Sequence, residues 1–175
     1  MSEPQPEPAY RSWRRKIIAL SLCIGLVLVL DQLSKFLVRT NLYLGQSVLS
    51  NGFLSFQRVH NPGGVWGLDA PPILWLVLSI VVLIFTIWFY FQYVPTGQIL
   101  ATISIGTVLG GTMGNLIDRL WHGYVIDFIS IRLCLNYHWP TFNLADCGIV
   151  VGAIGLAYYM LRTTFRDQQQ DIQAP

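Results

Sequence analysis

Apolar positions in this chain are gathered into long unbroken runs, and the polar residues are crowded between them. A helix crossing the hydrocarbon of a bilayer needs about 20 predominantly apolar residues, and four segments meet that requirement. Ile17 to Val38 is uncharged through Leu30 and carries Asp31 and Lys35 near its far end. Pro71 to Val94 holds no charge, with Trp75, Trp88, Tyr90 and Tyr93 toward its ends, read as interfacial anchors. Gln98 to Ile117 is uncharged and stops at Asp118-Arg119; Leu144 to Leu161 is shorter and has Asp146 at its start. Only Pro95-Thr96-Gly97 separates the second run from the third, which predicts a tight helical hairpin. The pattern predicts an all-α polytopic membrane protein with one four-helix domain, residues 17–164, and spans at about 17–38, 71–94, 98–119 and 144–162. The N-terminal tail is 1–16, with a disordered stretch at Ser2 to Pro8, and the C-terminal tail is 165–175. A basic stretch precedes the first run, but no A-x-A site follows it and Leu22 is bulky where a lipobox takes a small residue. The run is therefore read as a retained span.

The two long connections differ. In Thr40 to Ala70, the residues Val48, Leu49, Phe53, Leu54 and Phe56 flank Ser50-Asn51-Gly52, and Asn-Gly between apolar runs is a hairpin signal. A small sheet or cradle at the outer membrane surface is expected there, and a second loop from Leu120 to Asn143. Gly106, Gly110 and Gly114 recur every four residues, and Gly148 and Gly152 repeat that spacing, which predicts close helix packing.

Composition sharpens this picture. Of 175 residues 53% are hydrophobic and 11% charged, against about 25% charged in soluble domains. The net charge of +2 is too small and too scattered to argue for nucleic acid. Cys23, Cys134 and Cys147 have neither disulfide-framework nor metal-ligand spacing. Basic residues set the orientation: Arg11, Arg14, Arg15, Lys16, Arg162 and Arg166 flank the tails, against Arg58, Arg132 and the bordering Arg39 and Arg119 on the other side. Six against four places both termini in the cytoplasm.

Ionisable residues inside spans are costly and are functional candidates by default. Topology alone brings Asp31, Lys35, Asn115, Asp118, Arg119, Asn143 and Asp146 to one end of the bundle, the end that also carries Asn61 and Asp127. Each has a structural explanation when taken singly. Asp31 and Lys35 are one helical turn apart and could pair; Asn115, Asp118 and Arg119 could form an ion-pair network. Asn143-x-x-Asp146 has the form of a capping box at a helix start. Asp127, inside Val125-Ile126-Asp127-Phe128, has no such explanation. Two neighbouring aspartates can share one proton, so that one activates water while the other polarises a carbonyl. That chemistry needs no metal and no cofactor.

Five motifs occur in order: Asp31-Gln32-Leu33-Ser34-Lys35, Asn61-Pro62-Gly63-Gly64-Val65-Trp66-Gly67, Gly114-Asn115-Leu116-Ile117-Asp118-Arg119, Val125-Ile126-Asp127-Phe128 and Phe142-Asn143-Leu144-Ala145-Asp146. The set resembles the lipoprotein signal peptidase, or signal peptidase II, family over about Lys16 to Arg162. The resemblance implies a bacterial inner-membrane aspartic endopeptidase that removes signal peptides from prolipoproteins just before a diacylglyceryl-modified cysteine. Asp127 and Asp146 would be the catalytic pair. Asn61, Asn115, Arg119 and Asn143 would line the site, Asp31 and Lys35 would support it, and Asp118 would be structural. It also implies four helices with a periplasmic β-cradle, an active site at the periplasmic face, substrates drawn from membrane lipid and no nucleic-acid partner; the chain is expected to act as a monomer. After Asn61 the family more commonly has Thr-Gly-Ala-Ala-Phe where this chain has Pro-Gly-Gly-Val-Trp, so Pro62 and Trp66 put the contacts of that loop in question. Cys147 stands where serine is frequent and is read as packing. The rival readings are a prolipoprotein-binding relative without activity, a small proton-coupled transporter and a non-catalytic scaffold. A transporter would place its carboxylates near the midplane, and a scaffold leaves Asp127 unexplained.

Overall fold

The computed structural model describes residues 9–49, 52–63, 70–134 and 137–173. Its elements in chain order are α1 (Ala9–Asn41), β1 (Ser47–Val48), β2 (Leu54–Asn61), α2 (Pro72–Tyr93), α3 (Ile99–His122), β3 (Val125–Cys134), β4 (Tyr137–His138) and α4 (Leu144–Gln173). All four helices are long and apolar enough to cross a membrane. α1 begins ahead of the predicted span and α4 runs well past it, because a helix continues through the charged residues flanking the apolar core. Ser2 to Pro8 lies outside the described residues.

α3 is the axis of the bundle and packs against the other three helices. Within its apolar window 61% of residues are buried, against 11, 6 and 11% in α1, α2 and α4, whose Leu, Ile, Val and Phe side chains face outward. That inversion is expected where lipid, not water, surrounds the protein. The glycines expected to pack do so. A methyl group on Gly110 would stand 2.8 Å from Val27 Cβ and 2.9 Å from the Ile24 carbonyl of α1; one on Gly111 would run into the Ala145 carbonyl of α4. Leu20, Tyr90, Val94, Ala101, Ile105 and Leu109 form the buried apolar core. Tyr90 is fully enclosed there, not interfacial: its hydroxyl meets Thr102 Oγ1 at 3.1 Å. Trp88 and Tyr93 do face outward. The α2–α3 turn is as tight as expected, with Gly97 in the left-handed region at φ +88°.

The strands form one antiparallel sheet in the order β1-β2-β3-β4. The expected hairpin is present, with Ser47 opposite Gln57 and Val48 opposite Phe56, although Ser50 and Asn51 of its turn lie outside the described residues. The second connection is more ordered than the loop expected there. Val125 to Cys134 is a ten-residue strand, and it pairs with β2 so that Asn61 faces Val125 and Val59 faces Asp127. Gly123, at φ +78°, ends α3 with its N–H on the Arg119 carbonyl. Only a residue free to adopt that angle turns the chain from helix to strand in so few steps, and the turn sets Asp127 beside the end of α3.

Candidate active site

Three elements deliver the carboxylates. β3 carries Asp127, which is 2% exposed. The segment after β4 folds back along β3, with the Phe142 N–H and carbonyl paired to Ile129, and so leads α4 in with Asn143 against Asp127. Asn143 caps α4: its Oδ1 accepts the Asp146 N–H at 3.0 Å, while its own N–H donates to Asp146 Oδ2 at 3.1 Å. That is the reciprocal capping expected from Asn143-x-x-Asp146. It leaves Asp146 Oδ1 to accept Asn115 Nδ2 at 2.8 Å.

The two aspartates are joined through asparagines. Asn143 Nδ2 donates to Asp127 Oδ1 at 2.7 Å and to Asn115 Oδ1 at 3.1 Å. Asn61 Nδ2 donates to Asp127 Oδ2 at 2.9 Å. Asn61 is oriented in turn by the Gly63 N–H on its Oδ1 at 3.1 Å, an Asx turn that Pro62 leaves intact because the donor used is one residue further on. A methyl group on Gly63 would stand 2.7 Å from Trp75 Nε1, so α2 backs the same turn. The Gly64 to Asp69 part of the loop, Trp66 included, lies outside the described residues. Burial pushes the Asp127 carboxyl up to about 7; the Asn61 amide pulls it down, the Asp146 charge raises it, and Asn143 and Lys35 lower it.

Behind this pair lies an ionic layer. Lys35 Nζ sits 2.8 Å from Asp31 Oδ2, 3.0 Å from Asp118 Oδ2 and 3.0 Å from Asn115 Oδ1, and all four residues are buried. Asp31 thus pairs along its own helix as expected, whereas Asp118 pairs across to α1 and not with its neighbour Arg119. Both carboxylates also hold backbone: Asp31 Oδ1 accepts the Ala145 N–H at 2.9 Å and Asp118 Oδ2 the Ile126 N–H at 3.1 Å. These bonds tie α1 to the start of α4 and α3 to β3, one residue away from Asp146 and Asp127. Gln32, which the residue pattern did not single out, bridges Asp31, Asp118 and the Gly114 carbonyl at 3.2 Å each. Its place within the first motif was the available signal.

Asn61, Asn115, Arg119, Asp127 and Asp146 line a cavity of about 610 Å³. Trp139, Pro140, Phe142 and Ile149 to Val151 add an apolar lining, which the chain did not announce because it joins the end of a connection to the first turns of a span. Arg119 is half-buried there, its Nη1 donating to the Asn115 carbonyl at 3.3 Å, with the Asp146, Asp127 and Asp118 charges acting on it in that order. A buried carboxyl that keeps its proton near neutrality, next to a second carboxyl held by Asn115 and the Asn143 backbone, can supply both an acid and a base.

Comparison with known proteins gives the family. The family model described as signal peptidase (SPase) II matches residues 23–162. A lipoprotein signal peptidase of Moorella thermoacetica is 42% identical over 137 residues, covering 78% of this chain and 88% of that one. A counterpart from Cupriavidus necator is 38% identical, covering 81% and 82%. Among solved structures, a bacterial membrane enzyme determined by the in meso method at 2.3 Å superposes with a TM-score of 0.74 at 28% identity, covering 83% of this chain and 88% of that one. With a family model spanning most of its length and relatives this similar over most of theirs, the chain belongs to the signal peptidase II family of aspartic peptidases and is a multi-pass bacterial membrane enzyme.

Proposed function

We propose that the chain cleaves prolipoproteins just before a diacylglyceryl-modified cysteine, with Asp127 and Asp146 as the catalytic pair. The observation that carries this reading is Asn143, whose side-chain amide holds Asp127 while its backbone N–H holds Asp146. Asp127, with its carboxyl raised to about 7, is the proton-bearing member; Asp146, less buried and lining the same cavity, is the base. Asp146 takes a proton from water as the water oxygen bonds to the scissile carbonyl carbon, and Asp127 gives its proton to the carbonyl oxygen. The resulting gem-diol collapses as the peptide nitrogen takes a proton from Asp146 and leaves. The gem-diol returns the other proton to Asp127, so both aspartates end as they began. Asn61, Asn115 and Arg119 position the substrate backbone, and Asp31, Lys35 and Asp118 hold the strands and helices that carry the pair. The substrate's diacylglyceryl chains stay in lipid along the apolar wall of α4. The termini face the cytoplasm, the site faces the periplasm across the bacterial inner membrane, and the chain works as a monomer.

The test is cleavage of a purified diacylglyceryl-modified prolipoprotein, read by gel shift beside its unmodified precursor. Wild type should cut only the modified form. Asp127→Asn and Asp146→Asn should each lower turnover by about a thousandfold or more while the protein stays folded. Full activity in either folded variant would overturn the pair, and a folded wild type that binds the substrate without cutting it would make the chain a prolipoprotein-binding relative.

A further inference from the structure

The same end of the bundle carries a second polar cluster that the peptidase reading does not use. Arg39 in the last turn of α1, Arg58 and His60 on β2, and His122 at the end of α3 converge around Tyr124. Arg39 Nη1 contacts His122 Nε2, and Arg58 Nη2 lies 3.4 Å from His60 Nε2. The His60 ring stacks on Tyr124 at 3.8 Å between centroids, and the His122 ring tilts against Tyr124 at 5.7 Å. Part of this is structural: Arg58 Nη1 donates to the Arg39 and Leu42 carbonyls at 3.1 Å each and so caps α1.

Capping leaves most of the charge unanswered. Among the described residues no carboxylate reaches either arginine, since Asp31 and Asp118 are spent on Lys35 and Asp127 and Asp146 belong to the cavity. Arg58 Nε and His122 Nδ1 are buried without a hydrogen-bond partner among the described residues, a condition that native structures seldom leave uncompensated. Burial, then the Arg58 and His122 charges, push His60 below its ordinary value, as expected in a positive field. The surroundings are interfacial: Tyr43 and Trp121 are 84% and 82% exposed, with Leu44 and Leu120 exposed beside them, the arrangement of an aromatic belt at headgroup level.

We propose that Arg39, Arg58 and His122 form a binding site for a phosphate group, supplied by a phospholipid headgroup, against the rim of the sheet. Two guanidinium forks and a ring N–H suit the several acceptor oxygens of a phosphate, which no single carbonyl can satisfy. Arg58 Nε and His122 Nδ1, the donors without a partner among the described residues, are the ones left for the anion while Arg58 Nη1 keeps its cap. Tyr43 and Trp121 then lie beside the glycerol and acyl chains. A lipid held there would pin the sheet to the bilayer close to the Asn61 turn, through the β2 strand that carries Arg58, His60 and Asn61 alike.

The test uses the full-length protein in detergent and three probes: dioctanoyl phosphatidic acid, inorganic phosphate and dioctanoylglycerol, which lacks the phosphate. Wild type should bind phosphatidic acid most tightly, and Arg39→Gln should weaken that binding about tenfold, the usual loss for one charge-assisted hydrogen bond. Dioctanoylglycerol binding should not change in the variant. Inorganic phosphate bound as tightly as phosphatidic acid, and lost in the variant, would keep the site and make its ligand the free anion. Phosphatidic acid binding no tighter than dioctanoylglycerol in wild type would overturn the site, as would undiminished binding by folded Arg39→Gln. Should Arg39→Gln fail to fold, His122→Gln gives the same reading, because it removes the buried Nδ1 donor and leaves both arginines.

Discussion

Two lysines are buried in α1, and the protein accommodates them in opposite ways. Lys16 is 5% exposed and has no carboxylate among its described partners. Its ammonium donates to the Tyr90 carbonyl at 3.4 Å and to the Val94 carbonyl, and it lies 4.3 Å from the centre of the Tyr90 ring and 5.1 Å from that of Trp13. It therefore closes the carbonyl end of α2 with dipoles and aromatic faces. Lys35 is 2% exposed and is held by two carboxylates and an asparagine that itself holds Asp146. One lysine finishes a helix. The other is a junction through which α1, α3, β3 and α4 constrain the candidate pair. What differs between the two is whether the compensation is local or shared.

Breaking the junction should have the largest effect. Lys35→Met leaves Asp31 and Asp118 buried without a cation, and should cost about 3–5 kcal/mol in detergent-mediated unfolding and abolish cleavage. Glycines along the α1–α3 seam sharpen the contrast. A methyl group on Gly114 meets the Asp31 carboxylate, whereas one on Gly106 meets the Cys23 side chain, which has no link to the site. Overpacking of this kind costs about 1–3 kcal/mol at either position. Gly114→Ala should in addition lower kcat, and Gly106→Ala should not; equal loss of kcat would break the distinction. Lys16→Met should cost about 1–2 kcal/mol, the value of a buried cap with cation–π contacts, at unchanged kcat.

The last test concerns protons. With Asp127 raised to about 7 from its ordinary 3.8, the folded protein binds a proton that the unfolded chain releases earlier. The stability this contributes is complete below the unfolded value and is lost as pH rises through about 7. Activity that needs a protonated Asp127 should fall over the same range, by half near pH 7. Asp127→Asn should remove that slope from the stability profile, measured by unfolding at pH 5, 6, 7 and 8, while Lys16→Met leaves it in place. A slope that persists in Asp127→Asn would assign the proton elsewhere.

Much of this was legible along the chain because it is set by local physics. Spans follow from runs of apolar residues, the capping box from a four-residue window, and the Asp31–Lys35 pair from one helical turn. Convergence at one end followed from counting spans. Pairings between distant strands were not legible: nothing near Asn61 announces that β2 will lie beside β3 and bring its amide to Asp127. Even so, Val125 to Leu133 is rich in β-branched residues, with polar side chains at Ser130 and Arg132 two apart, a strand signal that the lone aspartate obscured. Tyr90 was misplaced at the interface because an aromatic near a span end suits either a belt or a core. Which one holds is decided by Lys16, 74 residues away in sequence.

The apolar wall of the cavity has a kinetic consequence. Val150 and Val151, which line it, are also 56% and 63% exposed on the outer side of a membrane-crossing helix, so the cavity borders the bilayer itself. A lipid-anchored ligand arrives there by diffusion in two dimensions, and its activity is its mole fraction among lipids, not its molarity in the vessel. Adding inert lipid at fixed amounts of enzyme and ligand would then slow the encounter, as surface dilution does, although no volume has changed.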